Sequence, residues 1–186
     1  TQAVRREGNA YALNAEGKIC ALSFSSPDNN LESLILDKSA DGLVHLHLND
    51  NKKLREVQFE VPLPLLWQIY LSRCALTTLE LPPGCAALEK MYVNGNQLNT
   101  LQFKGDCPKL EFLDASDNQL TDFNLPAGFE KLAYLYLNNN KLEHLSFPDD
   151  LPELSILHLR ANQLKELPRG KYAKLETLYV RENPLS

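Results

Sequence analysis

An eleven-residue pattern returns every 22 residues along most of this chain, and few folds accept such a sequence. Gapless copies are LEKMYVNGNQL from Leu88, LEFLDASDNQL from Leu110, LAYLYLNNNKL from Leu132, LSILHLRANQL from Leu154 and LETLYVRENPL from Leu175, with starts 22, 22, 22 and 21 residues apart. LWQIYLSRCAL from Leu66 precedes them by another 22 residues and carries Cys74 where the others carry Asn. LVHLHLNDNKKL from Leu43, with one inserted residue, and ICALSF from Ile19 are looser copies. Leucine makes up 37 of the 186 residues because each copy uses it at the same places. A unit this short cannot bury its own apolar face, so the copies must stack and cover one another.

The motif LxxLxLxx(N/C)xL resembles that of the leucine-rich repeat family, over roughly residues 19–186. The resemblance implies an α/β repeat solenoid, a leucine-rich-repeat horseshoe with a parallel β-sheet on the concave face and irregular or 3-10 segments on the convex face. Residues 1–18 are expected to form an N-terminal cap or hairpin, and 19–186 a repeat domain of about eight repeats, the last incomplete. Tyr11-Ala12-Leu13 and Ile19-Cys20-Ala21-Leu22 flank Asn14-Ala15-Glu16-Gly17-Lys18, a hairpin signal.

The residue chemistry supports the same reading. Apolar residues at positions 4 and 6 of each copy mark a short strand with one buried face. Position 9 forms a column of Asn51, Cys74, Asn96, Asn118, Asn140, Asn162 and Asn183. A buried amide there can satisfy backbone groups of adjacent turns. Cys74 is only a weak donor, so its rung is expected to be the softest and Cys74→Asn to stabilise. Position 14 (Leu79, Leu101, Phe123, Leu145, Leu167) and the residue three before each start (Leu63, Cys85, Cys107, Phe129, Leu151, Tyr172) supply the outer wall of the core. Prolines cluster in these return segments, which argues against long helices.

Strand alternation sends positions 3, 5 and 7 away from the core. Five of the seven tyrosines fall there. The candidate partner-binding residues are Tyr70, Tyr92, Phe112, Asp114, Tyr134, Tyr136, Ile156, His158, Arg160, Tyr179 and Arg181, centred on Tyr92, Phe112, Tyr134, Tyr136 and His158. Aromatic residues suit strands in any case. A tyrosine stripe rimmed by polar and mixed charged residues fits recognition of a protein or peptide better than mere strand propensity does.

Other functions fit poorly. Net charge is −5 and no basic stripe is present, so nucleic acid is not an expected partner. No 18-residue apolar run occurs, so no membrane partner is expected. Cys20, Cys74, Cys85 and Cys107 form no CxxC cluster, and Cys85 and Cys107, one repeat apart, read as buried thiols. His45 and His47 share a strand face with Asp50 nearby but lack an evident third metal ligand. No phosphate loop, HExxH motif or Ser-His-Asp set converges on one rung, so neither an enzyme nor a cofactor is expected. Cysteine usage favours a cytoplasmic, reducing compartment, although a chain beginning at Thr1 is compatible with a removed signal peptide.

The expected function is a protein–protein interaction scaffold. The 22-residue spacing, the closing ENPLS and the opening YALNAEGKICAL are similar to repeat arrays preceding the GTPase domain of bacterial Roco proteins. That resemblance implies an alternative, a regulatory module of a larger signalling protein. Carbohydrate binding is a weaker fit, because such sites usually add several acidic or amide groups around each ring. The last copy stops before a return segment, so its open edge is expected to belong to a longer chain or to self-associate.

Overall fold

The computed structural model describes the backbone of residues 2–6, 9–24 and 30–186, with side chains over 12–24 and 30–186. Of the expected cap over 1–18, positions 1, 7 and 8 and the side chains of 2–6 and 9–11, Tyr11 among them, lie outside the described residues. The chain opens with β1 (Gln2–Arg6), β2 (Asn9–Leu13), β3 (Ile19–Ser23) and β4 (Ser33–Leu36), followed by a 3-10 turn at Lys38–Ala40. Then come β5 (His45–His47), β6 (Glu56–Phe59), β7 (Gln68–Tyr70), β8 (Thr78–Leu81), β9 (Lys90–Tyr92) and β10 (Thr100–Phe103). The last six are β11 (Phe112–Asp114), β12 (Asp122–Asn124), β13 (Tyr134–Tyr136), β14 (His144–Ser146), β15 (Ile156–His158) and β16 (Thr177–Tyr179).

One ten-stranded sheet runs β1-β2-β3-β5-β7-β9-β11-β13-β15-β16. It is parallel from β3 onward, and its register is that of the repeat, with His45, Gln68, Lys90, Phe112, Tyr134, Ile156 and Thr177 in successive partnership. Beneath it lie the leucines. Leu46, Ile69, Met91, Leu113, Leu135 and Leu157 at position 4 are buried, as are Leu48, Leu71, Val93, Ala115, Leu137 and Leu159 at position 6. Each coil presents its apolar edge only to its neighbours, so one core runs the length of the array.

The entry is a meander. β2 pairs antiparallel with both β1 and β3. Asn14 closes the β2–β3 turn, its carbonyl oxygen Oδ1 accepting from the Glu16 and Lys18 amides at 3.0 Å each. Gly17 supplies the left-handed φ of 77° that this turn requires.

The convex face differs from the irregular or 3-10 segments expected. Its return segments form three two-stranded parallel ladders, β4–β6, β8–β10 and β12–β14. Twenty-two residues leave too little chain for a helix plus two turns, and TLEL at β8 and TLQF at β10 alternate with the period of a strand. The prolines terminate these strands: Pro82 and Pro83 follow β8 and Pro126 follows β12. Phe103 meets Phe129 edge-on at 5.0 Å, and Phe147 contacts both Phe123 and Tyr172, closing the outer wall with rings.

At the other end of the sheet, β16 pairs with β15 alone. Leu178, at a position buried in the other coils, is 41% exposed there.

Candidate functional site

Two columns of the repeat make the scaffold rigid enough to carry a surface. At position 9, the amide Nδ2 of Asn118 donates to the carbonyls of Val93 and Ala115, and its Oδ1 accepts from the Leu98 amide at 3.0 Å. Asn96, Asn140, Asn162 and Asn183 repeat this arrangement, each bonding position 6 of its own coil and of the coil before. Asn51 donates to Phe24 and Leu48 carbonyls in the same way.

Cys74 departs from this pattern, its thiol carrying one proton where the Asn amide carries two. Its Sγ donates to the Leu48 carbonyl at 3.1 Å. The acceptor that Asn supplies elsewhere is not needed, because Lys53 is inserted in the preceding coil. Leu54 consequently turns its amide to the Asn51 carbonyl at 3.0 Å.

Position 8 shows a column that the sequence reading missed. Asp50, Arg73, Gly95, Asp117, Asn139, Ala161 and Glu182 all adopt left-handed backbone, with φ between 54° and 69°. The turn directs the position-8 amide at the position-7 carbonyl of the next coil, as from Asp117 to Asn138 at 3.0 Å. Gly, Asn and Asp at four of these places are the usual occupants of that conformation and were the available signal. Arg73, Ala161 and Glu182 obscured it.

Position 7 is only partly exposed. Ser72 and Ser116 are buried, their hydroxyls donating to Asn94 and Asn138 of the following coils at 2.6 and 3.0 Å. Arg160 and Arg181 are exposed, and Arg160 is tied to Glu182 at 2.6 Å. Arg73 grips Asp50 through two nitrogens, at 2.7 and 2.8 Å.

Above this frame the rings of positions 3 and 5 form an unbroken run. His47 meets Tyr70 at 5.0 Å between centroids, Tyr70 stacks on Tyr92 at 4.9 Å, and Tyr92 meets Phe112 at 4.7 Å. Phe112 reaches Tyr136 at 5.3 Å, Tyr136 meets His158 at 4.6 Å, and His158 meets Tyr179 at 4.4 Å. The run follows position 5 except at β11, where that position is Asp114 and Phe112 bridges the gap from position 3. Tyr134 flanks Phe112 at 6.2 Å and is 40% exposed; Tyr179 is 50% exposed. The whole candidate set, with Ile156 beside the run, lies on the concave sheet or the turns that leave it.

Trp67, just before β7, extends the aromatic surface at its edge and was not foreseen. It is 36% exposed and meets His45 edge-on at 5.4 Å. His45 and His47 thus each contact an aromatic ring, and among the described residues no group of three His, Cys, Asp or Glu side chains has metal-binding spacing.

Burial pushes the Tyr92 phenol up from its ordinary range, with Tyr70, Asp114 and Tyr136 adding to the effect. Tyr136 is raised by burial and by Asp114 and Tyr134. His158 is lowered by burial, against the opposing pull of Asp114. Near neutral pH Tyr92, Tyr136 and His158 are therefore uncharged. Cys74 and Cys85 are pushed up to about 11 and Cys107 to about 12, chiefly by burial, which leaves these thiols inert.

A leucine-rich-repeat solenoid, a fold that generally serves as a binding scaffold, is the class that this architecture defines. A family profile described as Leucine Rich repeats (2 copies) matches residues 108–152. The stacked parallel strands and the Asn column extend the same leucine-rich-repeat architecture beyond the matched residues. It is 41% identical over 95 residues to a Roc-COR-CHAT protease of Runella zeae, a match spanning 51% of this chain and 10% of that protein. A second Roc-COR-CHAT protease, from an unknown prokaryotic organism, is 41% identical over 71 residues, covering 38% of this chain and 7% of its own length. Among solved structures, a plant peptide hormone receptor, RGFR1 in complex with RGF2, aligns over 84% of this chain and 35% of its own at 22% identity and a TM-score of 0.45. Among the described residues, no helix is long and apolar enough to cross a membrane.

Proposed function

We propose that the concave face recognises a protein or peptide segment laid across the strands on the ring run. The observation that carries this reading is the unbroken aromatic surface from β5 to β16, held on a hydrogen-bonded frame and exposed at Tyr134 and Tyr179. Rings that are already stacked lose little conformational entropy when a partner covers them. The test is selection of binders from a random peptide library on this chain, followed by affinity measurement on Tyr134→Ala/Tyr136→Ala. Losing both rings is expected to weaken the selected peptides by several kcal/mol, at about 2 kcal/mol for each hot-spot ring. Unchanged affinity in a folded double variant contradicts the placement. Selection on a glycan array in place of peptides would move the surface to carbohydrate.

A second reading adds to the first: the array serves as a recognition module of a larger multidomain signalling protein, acting in the cytoplasm. It is supported by matches that occupy a tenth or less of two Roc-COR-CHAT proteins. The reading frame surrounding this segment in its gene tests it. A downstream GTPase-type domain is expected, and a stop codon directly after Ser186 contradicts it.

A further inference from the structure

Asp114 interrupts a column that is otherwise aromatic or histidine from β5 to β16. It stands opposite Tyr92 on one side and Tyr136 on the other. Phe112, two residues earlier on the same strand, brings its ring within 4.7 Å of Tyr92 and 5.3 Å of Tyr136. Three rings and a carboxylate therefore share one patch at the middle of the sheet.

The carboxylate is half-buried, and one oxygen accepts from the Ser116 amide at 3.0 Å. Among the described residues no ion pair reaches it. Two arginines of the same face are engaged elsewhere, Arg73 with Asp50 and Arg160 with Glu182, and Arg181 follows β16, three strands from Asp114. Lys90 stands opposite Phe112 on the adjacent strand and forms no ion pair with Asp114. Placing an acid among rings costs solvation, and among the described residues the Ser116 amide is its hydrogen-bond donor and no cation pairs with it. Ring faces and a carboxylate attract the same thing, a cation that can lie flat on a π-system and donate hydrogen bonds.

We infer that the recognised segment lays a basic side chain, arginine in preference to lysine, onto Asp114 beside the rings of Tyr92, Phe112 and Tyr136. This rests on the concave-face reading above and names the chemistry of its partner. A planar guanidinium stacks on a ring while donating to the free carboxylate oxygen, and an ammonium does only the second. The net charge of −5 favours approach of a basic segment.

The test selects a random dodecapeptide library on this chain and re-measures the selected peptides against two variants. Asp114→Asn keeps the shape and removes the charge, and Tyr134→Ala/Tyr136→Ala reports on the face as a whole. Selected peptides are expected to share an arginine. Replacing it by citrulline, which keeps the shape without charge, weakens binding by about tenfold or more. Asp114→Asn weakens the arginine peptide similarly and leaves the citrulline peptide unchanged, so the two losses are not additive. Peptides that depend on Tyr134 and Tyr136 but carry no cation, or ignore Asp114→Asn, overturn this inference and leave the concave-face reading standing. Peptides indifferent to Tyr134 and Tyr136 overturn both.

Discussion

At the scale of single residues, the repeat works through polar groups that satisfy backbone in two coils at once. Asn118→Ala and Asn140→Ala each strand one amide inside the array and take one of two Asn donors from each of two carbonyls, at about 1–3 kcal/mol each, measurable by denaturant melts. Neutral melts for both would contradict the ladder. Ala161 holds left-handed backbone at φ 55° with a side chain that disfavours it. Ala161→Gly is therefore expected to stabilise by about 1 kcal/mol in the same assay. The thiols give a readout without mutation. Cys20 is half-buried, whereas Cys74, Cys85 and Cys107 are buried with raised pKa values, so an aromatic disulfide reagent near pH 8 is expected to reach Cys20 first and the other three only on unfolding. The Asn column was legible in the sequence because one residue type recurs at one spacing. The left-handed column beside it was not, because the conformation is imposed by coil-to-coil hydrogen bonding that Arg73, Ala161 and Glu182 accept against their own preference.

At the scale of elements, each concave strand is only three residues from β5 onward and owes its place to register. The columns of positions 3 and 5 could be read directly, because a period of two and a fixed repeat length leave one register that keeps every leucine inside. The convex strands were legible in TLEL and TLQF but masked by nearby prolines, whose common use in 3-10 turns outweighed a four-residue alternation. The hairpin before the array depends on one backbone conformation. A methyl added at Gly17 meets no atom within 4 Å, so Gly17→Ala tests the φ of 77° without a clash. It is expected to cost about 1 kcal/mol, read as faster amide exchange across β2–β3. Unchanged exchange would mean that the turn does not hold the left-handed conformation.

For the molecule as a whole, the core and the surface follow the same period, so the leucine pattern that builds the solenoid also spaces the rings along it. His158 links the surface to pH. Its pKa is lowered by burial, so the folded state holds fewer protons than the unfolded one below the ordinary histidine range. Stability is therefore full above about 6.5 and declines as pH falls through the lowered value. His158→Gln is expected to flatten that part of the profile.

The central claim, that the aromatic concave face is where a partner binds, is tested most directly by mapping a selected peptide on the isotope-labelled chain by NMR. The account predicts that perturbed amides cluster on 68–70, 90–92, 112–114, 134–136 and 156–158, with the largest changes around Asp114. Perturbations clustered instead on the convex ladders at 78–81, 100–103 and 122–124, with the ring-bearing strands unmoved, would contradict it.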